Sequence, residues 1–204
     1  KNPLLTVTVP SKDNVKESKE IEILTDEQMN KLFIEAQKVN TYSSRINGKI
    51  GETVYRGNNK YIIILILYTG MRIGEALAVT WNDYNKKEKT LTIHSNLVRV
   101  KDVYDKDTDT YSRKDVINST KTRSGTRIIK LPKKAIWALD GLSKDKKSQR
   151  ICVTTTGNTP SQSSITRTLK CMLSNAEIDV DIKHFGLHDL RHTYASYQIR
   201  HGTD

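Results

Sequence analysis

The run Tyr61-Ile-Ile-Ile-Leu-Ile-Leu-Tyr68 is apolar on every side, so whatever the chain builds must wrap around it. It is far too short to span a bilayer, which takes about 20 apolar residues as a helix. Periodicity alone does not separate a buried helix from a buried strand here, and the β-branched isoleucines lean towards strand. Gly70 stops the run, and Ile73 to Val79 follows with helix formers Glu75, Ala76 and Leu77. Burying such a segment takes a real core, and 204 residues, 36% hydrophobic, supply one for a single good-sized domain. With 10 Gly and 4 Pro, the composition is neither disordered nor low in complexity.

Around this centre the chain reads as alternating local signals. Residues 1–22, with Pro3, Pro10 and the charged stretch Ser11 to Glu20, read as an interdomain linker or lead-in segment, leaving 23–204 as the domain proper. Thr25 with Gln28 three residues later is a capping box, and Met29, Leu32, Phe33, Ala36 and Val39 recur at helical spacing, predicting a helix over about 26–39. Residues 40–58 read as a polar loop. From Thr90 the period changes to two: Leu91 and Ile93, then Val98, Val100 and Val103, run to about Asp105. A turn over 106–110 leads back through Tyr111 to Ile117, predicting a hairpin that projects from a small antiparallel sheet. Arg127 to Leu131 predicts another strand, Lys133 to Leu142 a helix, Ile151 to Thr154 a short strand, 162–176 a helix, and 187–201 a last helix ended by Gly202. The fold class is therefore α+β: a mainly helical domain with a small antiparallel sheet and an inserted β-hairpin.

Charge narrows the partner. Thirty-four Lys and Arg against 23 Asp and Glu give +11, which calls for an anionic surface, nucleic acid before membrane. Cys152 and Cys171 have neither metal-ligand nor disulfide spacing and read as ordinary packing residues. The opening Lys1-Asn2-Pro3 is no secretory leader, and the protein is expected to be cytoplasmic.

Three segments carry chemistry. In Thr69-Gly-Met-Arg-Ile-Gly-Glu-Ala-Leu77, an arginine just past a glycine stop is expected to be partly buried, with Glu75 three residues on and able to fix its guanidinium for a phosphate. A plain helix salt bridge fits the pair as well. The tract Lys121-Thr-Arg-Ser-Gly-Thr-Arg-Ile-Ile-Lys130 puts Arg123, Arg127 and Lys130 where they can reach DNA, and a lysine on such a turn can also protonate a leaving oxygen; a solvated turn is the plainer alternative. In Gly186-Leu-His-Asp-Leu-Arg-His-Thr193, His188 and Arg191 share a helix face and can converge on one anion. A rival reading takes His184, His188, His192 and Asp189 as metal ligands, but Gly186 takes His184 off that face and no second acidic cluster exists, so no metal and no cofactor is expected.

In this order, the three motifs together resemble the tyrosine recombinases, especially phage and conjugative-transposon integrases, over residues 20–201. The resemblance implies that the Tyr61–Tyr68 run is a helix. It implies that Arg72 and Arg191 neutralise a scissile phosphate, that Lys121 is the general acid on the 5′-oxygen, that His188 is a phosphate ligand and proton acceptor, and that Glu75 supports Arg72. It further implies double-stranded DNA as partner, a homotetramer on DNA for the intact protein, and a monomer for this fragment. Family members carry another His or Trp and then the nucleophilic Tyr a few dozen residues past the second arginine. The nucleophile is therefore expected beyond Asp204, with the domain truncated at its C-terminus; Tyr194 and Tyr197 share a helix with Arg191 and are read as packing residues. The competing functions are a DNA-binding module that uses the arginines only for grip, a metal-dependent phosphohydrolase, and a type IB topoisomerase.

Overall fold

The computed structural model describes residues 21–38, 57–105, 110–119, 126–144 and 147–202, so the expected lead-in up to residue 20, most of the 40–58 loop, Lys121 and Arg123 lie outside the described residues. The elements run α1 (Asp26–Gln37), α2 (Asn59–Thr69), α3 (Ile73–Ala78), a 3₁₀ turn (Trp81–Asp83), β1 (Tyr84–Asn85), β2 (Thr90–Ile93), β3 (Ser95–Asp105), β4 (Thr110–Ser119), β5 (Arg127–Lys130), α4 (Lys133–Ser143), α5 (Gln162–Asn175) and α6 (Leu187–Arg200). The architecture is mixed, helices around small antiparallel sheets, as the patterning predicts.

The apolar run is α2, and every residue from Ile62 to Thr69 is buried. It packs against α1, α3, α4, α5 and α6, so no side is left for a polar face. A helix satisfies its own backbone groups, which suits a segment with helices on all sides better than a strand that needs hydrogen-bonding neighbours. The ends are fixed by specific contacts: Asn58 is buried and donates to the Val153 carbonyl at 2.8 Å, and Gly70 closes the helix in the left-handed conformation, φ +63°, its N–H reaching the Ile66 carbonyl at 2.9 Å. At α1 the predicted capping box is present, Thr25 Oγ1 accepting from the Gln28 amide at 3.2 Å and Gln28 Oε1 accepting from the Thr25 amide at 2.9 Å. Thr193 on α6 is fully buried, and its hydroxyl takes the Leu24 amide at 3.1 Å, tying the last helix to the start of the domain.

The three-stranded sheet has the order β1-β2-β5, all antiparallel, with Leu91 opposite Ile129 and Ile93 opposite Arg127. Partners across a ladder share a face, so Arg127 stands with Ile129 on the side of buried Leu91 and Ile93, while Ile128 is exposed on the other. The hairpin β3–β4 is a separate two-stranded sheet, with a register irregularity between Val100 and Val103. Its base is seated on α3 at Gly74, where a Cβ would come within 2.1 Å of Asn96 Oδ1 and 2.8 Å of the Leu97 carbonyl oxygen. An Arg99–Asp115 pair at 2.8 Å crosses the two strands, and Arg150 adds its charge from the side at 3.9 Å.

One predicted element is corrected. Ile151 to Thr154 is not a strand: a single bridge joins Arg150 to Thr80, the Ile151 amide reaches the Val79 carbonyl at 3.0 Å, and the chain then turns at Thr154–Asn158. Ile151, Cys152 and Val153 are apolar because they are buried, not because they pair in a sheet. Burial pushes the Cys152 thiol up to about 12, so it carries no thiolate at neutral pH.

Candidate active site

Glu75 is the hub. It sits at the third position of α3 with its side chain 4% exposed, and it reaches back to the helix start, accepting the Arg72 amide on Oε2 at 2.8 Å. Its Oε1 also takes Arg72 Nη1 at 3.2 Å. Arg127 comes up from β5 and grips the same carboxylate with both terminal nitrogens, Nη1 to Oε1 at 3.1 Å and Nη2 to Oε2 at 2.7 Å. Arg191, from the second turn of α6, brings Nη1 to 4.0 Å from Oε2 and donates to the Gly70 carbonyl, which joins the corner after α2 to α6. One buried carboxylate thus faces three guanidiniums and balances only one of them, so the cluster keeps an excess of positive charge.

That imbalance appears in the titration of the groups. Burial alone would raise the Glu75 carboxyl, but hydrogen bonds from Arg127 and from the Arg72 amide outweigh it and hold the group below its ordinary value of 4.5. Burial pulls Arg191 below its ordinary value, the neighbouring Arg72 adds to this, Glu75 opposes it and Arg127 adds a little more. An arginine in that state gains from a further negative charge, which a bound oxyanion would bring.

The free side of the cluster opens into a cavity of about 680 Å³. Its walls come from four places: Met71 to Gly74 with Leu77 at the start of α3, Asn96 to Arg99 at the hairpin base, Pro160 to Ser163 at the entry to α5, and Leu187, His188 and Arg191 on α6. His188 and Arg191, three apart on α6, line it together with Arg72. The His188 ring meets the His192 ring edge-on, with centroids 4.6 Å apart.

The residues singled out from sequence divide as follows. Arg72, His188 and Arg191 line one cavity, with Glu75 buried beneath it. Arg72 is more exposed than expected: its side chain is 59% exposed, although Nη1 still bonds Glu75 and the residue lines the cavity. Arg127, read from sequence as a DNA contact, faces inward and is engaged by Glu75. Lys130 is exposed and borders a different cavity of about 530 Å³, together with Tyr194 and Tyr197. Those two tyrosines therefore look away from Arg72 and His188; the Tyr194 ring covers Gly70 and the Tyr197 ring stacks on His201 at 4.1 Å. Nor do the residues of the metal reading assemble: His184 pairs with Asp181, and Asp189 Oδ2 accepts the Gly186 amide at 2.8 Å to cap α6. Among the described residues no group of three His, Cys, Asp or Glu side chains is placed to hold a metal ion. Likewise, among them no helix is long and apolar enough to cross a membrane.

Sequence reasoning missed the Arg127–Glu75 contact and the two walls built by the hairpin base and the α5 entry. Half of the first was legible: in Arg127-Ile-Ile-Lys130 the period of two puts Arg127 on the same side as Ile129, but it does not name Glu75 as the partner.

The pH dependence of this cluster has a fixed sign. Because the folded state holds the Glu75 carboxyl below its ordinary value, the unfolded chain binds more protons between the two, and the carboxylate's stabilisation is complete above about pH 4.5 and is lost as pH falls through the lower, folded value. The Tm advantage of the unaltered protein over Glu75→Gln is therefore expected to be full at pH 7 and to shrink steadily below pH 4.5. A difference between the two proteins that stays constant from pH 7 to pH 3 would contradict this account.

A helical domain with small antiparallel sheets thus brings two arginines and a histidine to one cavity, with a carboxylate buried beside them. Residues 22–204 match the family model described as the Phage integrase family, and the chain belongs to that family. Among curated proteins it is 24% identical over 180 residues to a "Tyrosine recombinase XerC-like" protein of Caldanaerobacter subterraneus subsp. tengcongensis, covering 81% of this chain and 44% of that protein. Among solved structures it is similar to the Tn1549 transposon integrase in complex with transposon right end DNA, TM-score 0.68 at 18% identity, covering 93% of this chain and 57% of that one. It is also similar to the XerA recombinase, TM-score 0.61 at 18% identity, over 97% of this chain and 55% of that one. At these identities the structural likeness shows the fold. The chain spans about half the length of these relatives.

Proposed function

We propose that this chain is the catalytic part of a site-specific DNA recombinase that integrates and excises a mobile element through a 3′-phosphotyrosine intermediate. The observation that carries the reading is the convergence of Arg72, His188 and Arg191 on one cavity over a carboxylate that cannot neutralise the arginines beside it. Family membership and the names of the similar proteins, recombinases and a transposon integrase held on DNA, favour the same reading.

In the proposed reaction a tyrosine hydroxyl gives its proton to His188 as its oxygen attacks the scissile phosphorus, the P–O5′ bond breaks, and the DNA 3′ end is left as a phosphotyrosine. Negative charge gathers on the non-bridging oxygens in the transition state, where the guanidiniums of Arg72 and Arg191 meet it without needing a metal. His188 binds the phosphate from the same wall. Lys121 gives its proton to O5′, so the leaving group departs as a hydroxyl. The phosphotyrosine bond conserves the energy of the broken one, and attack by a 5′-hydroxyl on it rejoins the strand without ATP. The nucleophile is proposed to lie beyond Asp204 in the intact protein; that Tyr194 and Tyr197 border a different cavity from Arg72 and His188 supports this. Double-stranded DNA is the partner, with Arg123 and Lys130 as backbone contacts. The intact protein is proposed to work as a homotetramer on two duplexes, and this fragment to be a monomer that binds DNA with a strong salt dependence.

The test is to offer the intact protein a nicked duplex carrying the ends of its element, so that the cleaved product diffuses away and the covalent adduct accumulates. A protein–DNA adduct that Arg72→Ala and Arg191→Ala abolish, and that forms in the presence of a chelator, is the expected result. No adduct on any such duplex leaves a DNA-binding module. Cleavage that vanishes with a chelator and returns with a divalent ion makes the protein a metal-dependent phosphohydrolase.

A further inference from the structure

We propose that Arg127 is a positioning residue of the phosphate site, fixing Arg72 and Arg191 through Glu75, and is not itself a DNA contact. The inference rests on the proposed function for the reaction it serves, and on geometry for the role. Arg127 stands on the inward face of β5, opposite Ile93, and spends both terminal nitrogens on the two oxygens of one buried carboxylate at 3.1 and 2.7 Å. Two parallel charge-assisted bonds of this kind fix the plane of the carboxylate as well as its place. With the plane fixed, Oε2 is held against the Arg72 amide and stands 4.0 Å from Arg191, and Oε1 is held against Arg72 Nη1.

Arg72 has little else to hold it. Its side chain is 59% exposed, and its one described side-chain bond is the 3.2 Å contact to Glu75. If Glu75 rotates, the start of α3 loses its cap and Arg72 loses its anchor together. Arg127 also supplies positive charge beneath the two arginines, so Glu75 can be shared without being fully spent on either. A carboxylate paired with Arg72 alone would neutralise the charge that the phosphate needs.

A phosphate contact and a positioning residue give different results when the side chain is removed. Arg127→Met in the intact protein is expected to leave duplex affinity and its salt dependence as they were, and to slow single-turnover cleavage at saturating DNA by about 10- to 100-fold, the range typical of groups that orient a ligand from behind. In a Glu75→Gln background the same change is expected to add less than about twofold, because both alterations cut one link. Arg127→Lys keeps the charge but cannot span both oxygens, and its rate falls between the two. Amide exchange at Arg72 speeds up in Arg127→Met, while the amides of α4, which do not meet Glu75, exchange as in the unaltered protein.

The opposite pattern overturns the inference. Were Arg127 a DNA contact, Arg127→Met would weaken binding across all sequences, lower the salt slope by about one, and leave cleavage at saturation unchanged. Were it only structural, exchange would rise throughout the domain and the effects of Arg127→Met and Glu75→Gln would multiply. If the unaltered protein forms no adduct at all, the recombinase reading fails, and the salt slope and the Arg72 exchange rate still decide the role of Arg127.

Discussion

Arg191→Ala is expected to cost the intact protein twice, in cleavage rate and in stability, where Arg72→Ala costs it only once. Both arginines line the cavity, and removing one fixed donor from a developing oxyanion typically lowers the rate about 10²- to 10³-fold, or ~3 kcal/mol. They differ in what else they hold. Arg191 is two-thirds buried and donates to the Gly70 carbonyl, bridging α6 to the corner between α2 and α3. Losing a charged donor at a partly buried site of this kind is worth about 1 kcal/mol. For a domain of this size that is a drop of roughly 2–4 °C in Tm. Arg72 is 59% exposed, its amide keeps its bond to Glu75 whatever the side chain, and its Tm is expected to stay within about a degree of the unaltered protein's, as for other surface substitutions. Thermal unfolding and single-turnover cleavage on the nicked duplex check the pair. Equal Tm losses would mean that the tie from Arg191 to Gly70 does not hold the fold, and equal rates for Arg191→Ala and unaltered protein would remove Arg191 from the site.

How far the sequence discloses this site depends on the range of the interactions involved. The capping box of α1 is local, Thr25 to Gln28, and so it is visible in the letters. The same holds for Glu75 reaching back to Arg72, and for His188 and Arg191 sharing a face of α6. What brings these pieces together is long-range: Arg127 lies 52 positions from Glu75, and Gly70 lies 121 from Arg191. No local pattern encodes such a pairing. The α2 run shows the opposite limit, a segment so uniformly apolar that periodicity says nothing and only its surroundings decide for helix. The Ile151 to Val153 segment misleads for a related reason. Three buried apolar residues look alike whether they pair in a sheet or merely pass through the interior, and here the isolated bridge at Thr80 goes no further.

Gly70 is where fold and site depend on one atom that is not there. A Cβ on it would fall 2.2 Å from Tyr194 Cδ1 and 2.8 Å from Cε1, well inside contact distance, and the backbone is at φ +63°, which side chains disfavour. The left-handed conformation costs an alanine about 1–2 kcal/mol, and forcing α6 off its seat adds about 1–3, so Gly70→Ala is expected to destabilise by roughly 2–5 kcal/mol, or about 4–20 °C in Tm. Tyr194 lies three residues beyond Arg191 on α6, and the Gly70 carbonyl is the Arg191 acceptor, so the same shift pulls the guanidinium off the cavity wall. Cleavage should therefore fall even at temperatures where the variant is folded. The steric part can be separated from the conformational part by a double-mutant cycle. Tyr194→Ala removes packing from the unaltered protein and destabilises it, but in Gly70→Ala it also removes the clash, so there it should cost much less or restore stability, with a coupling of about 1–3 kcal/mol. The left-handed penalty would remain in both. Simple additivity of the two substitutions would mean that the Tyr194 ring is not what makes glycine necessary at position 70, and that α6 is seated on the corner by other contacts.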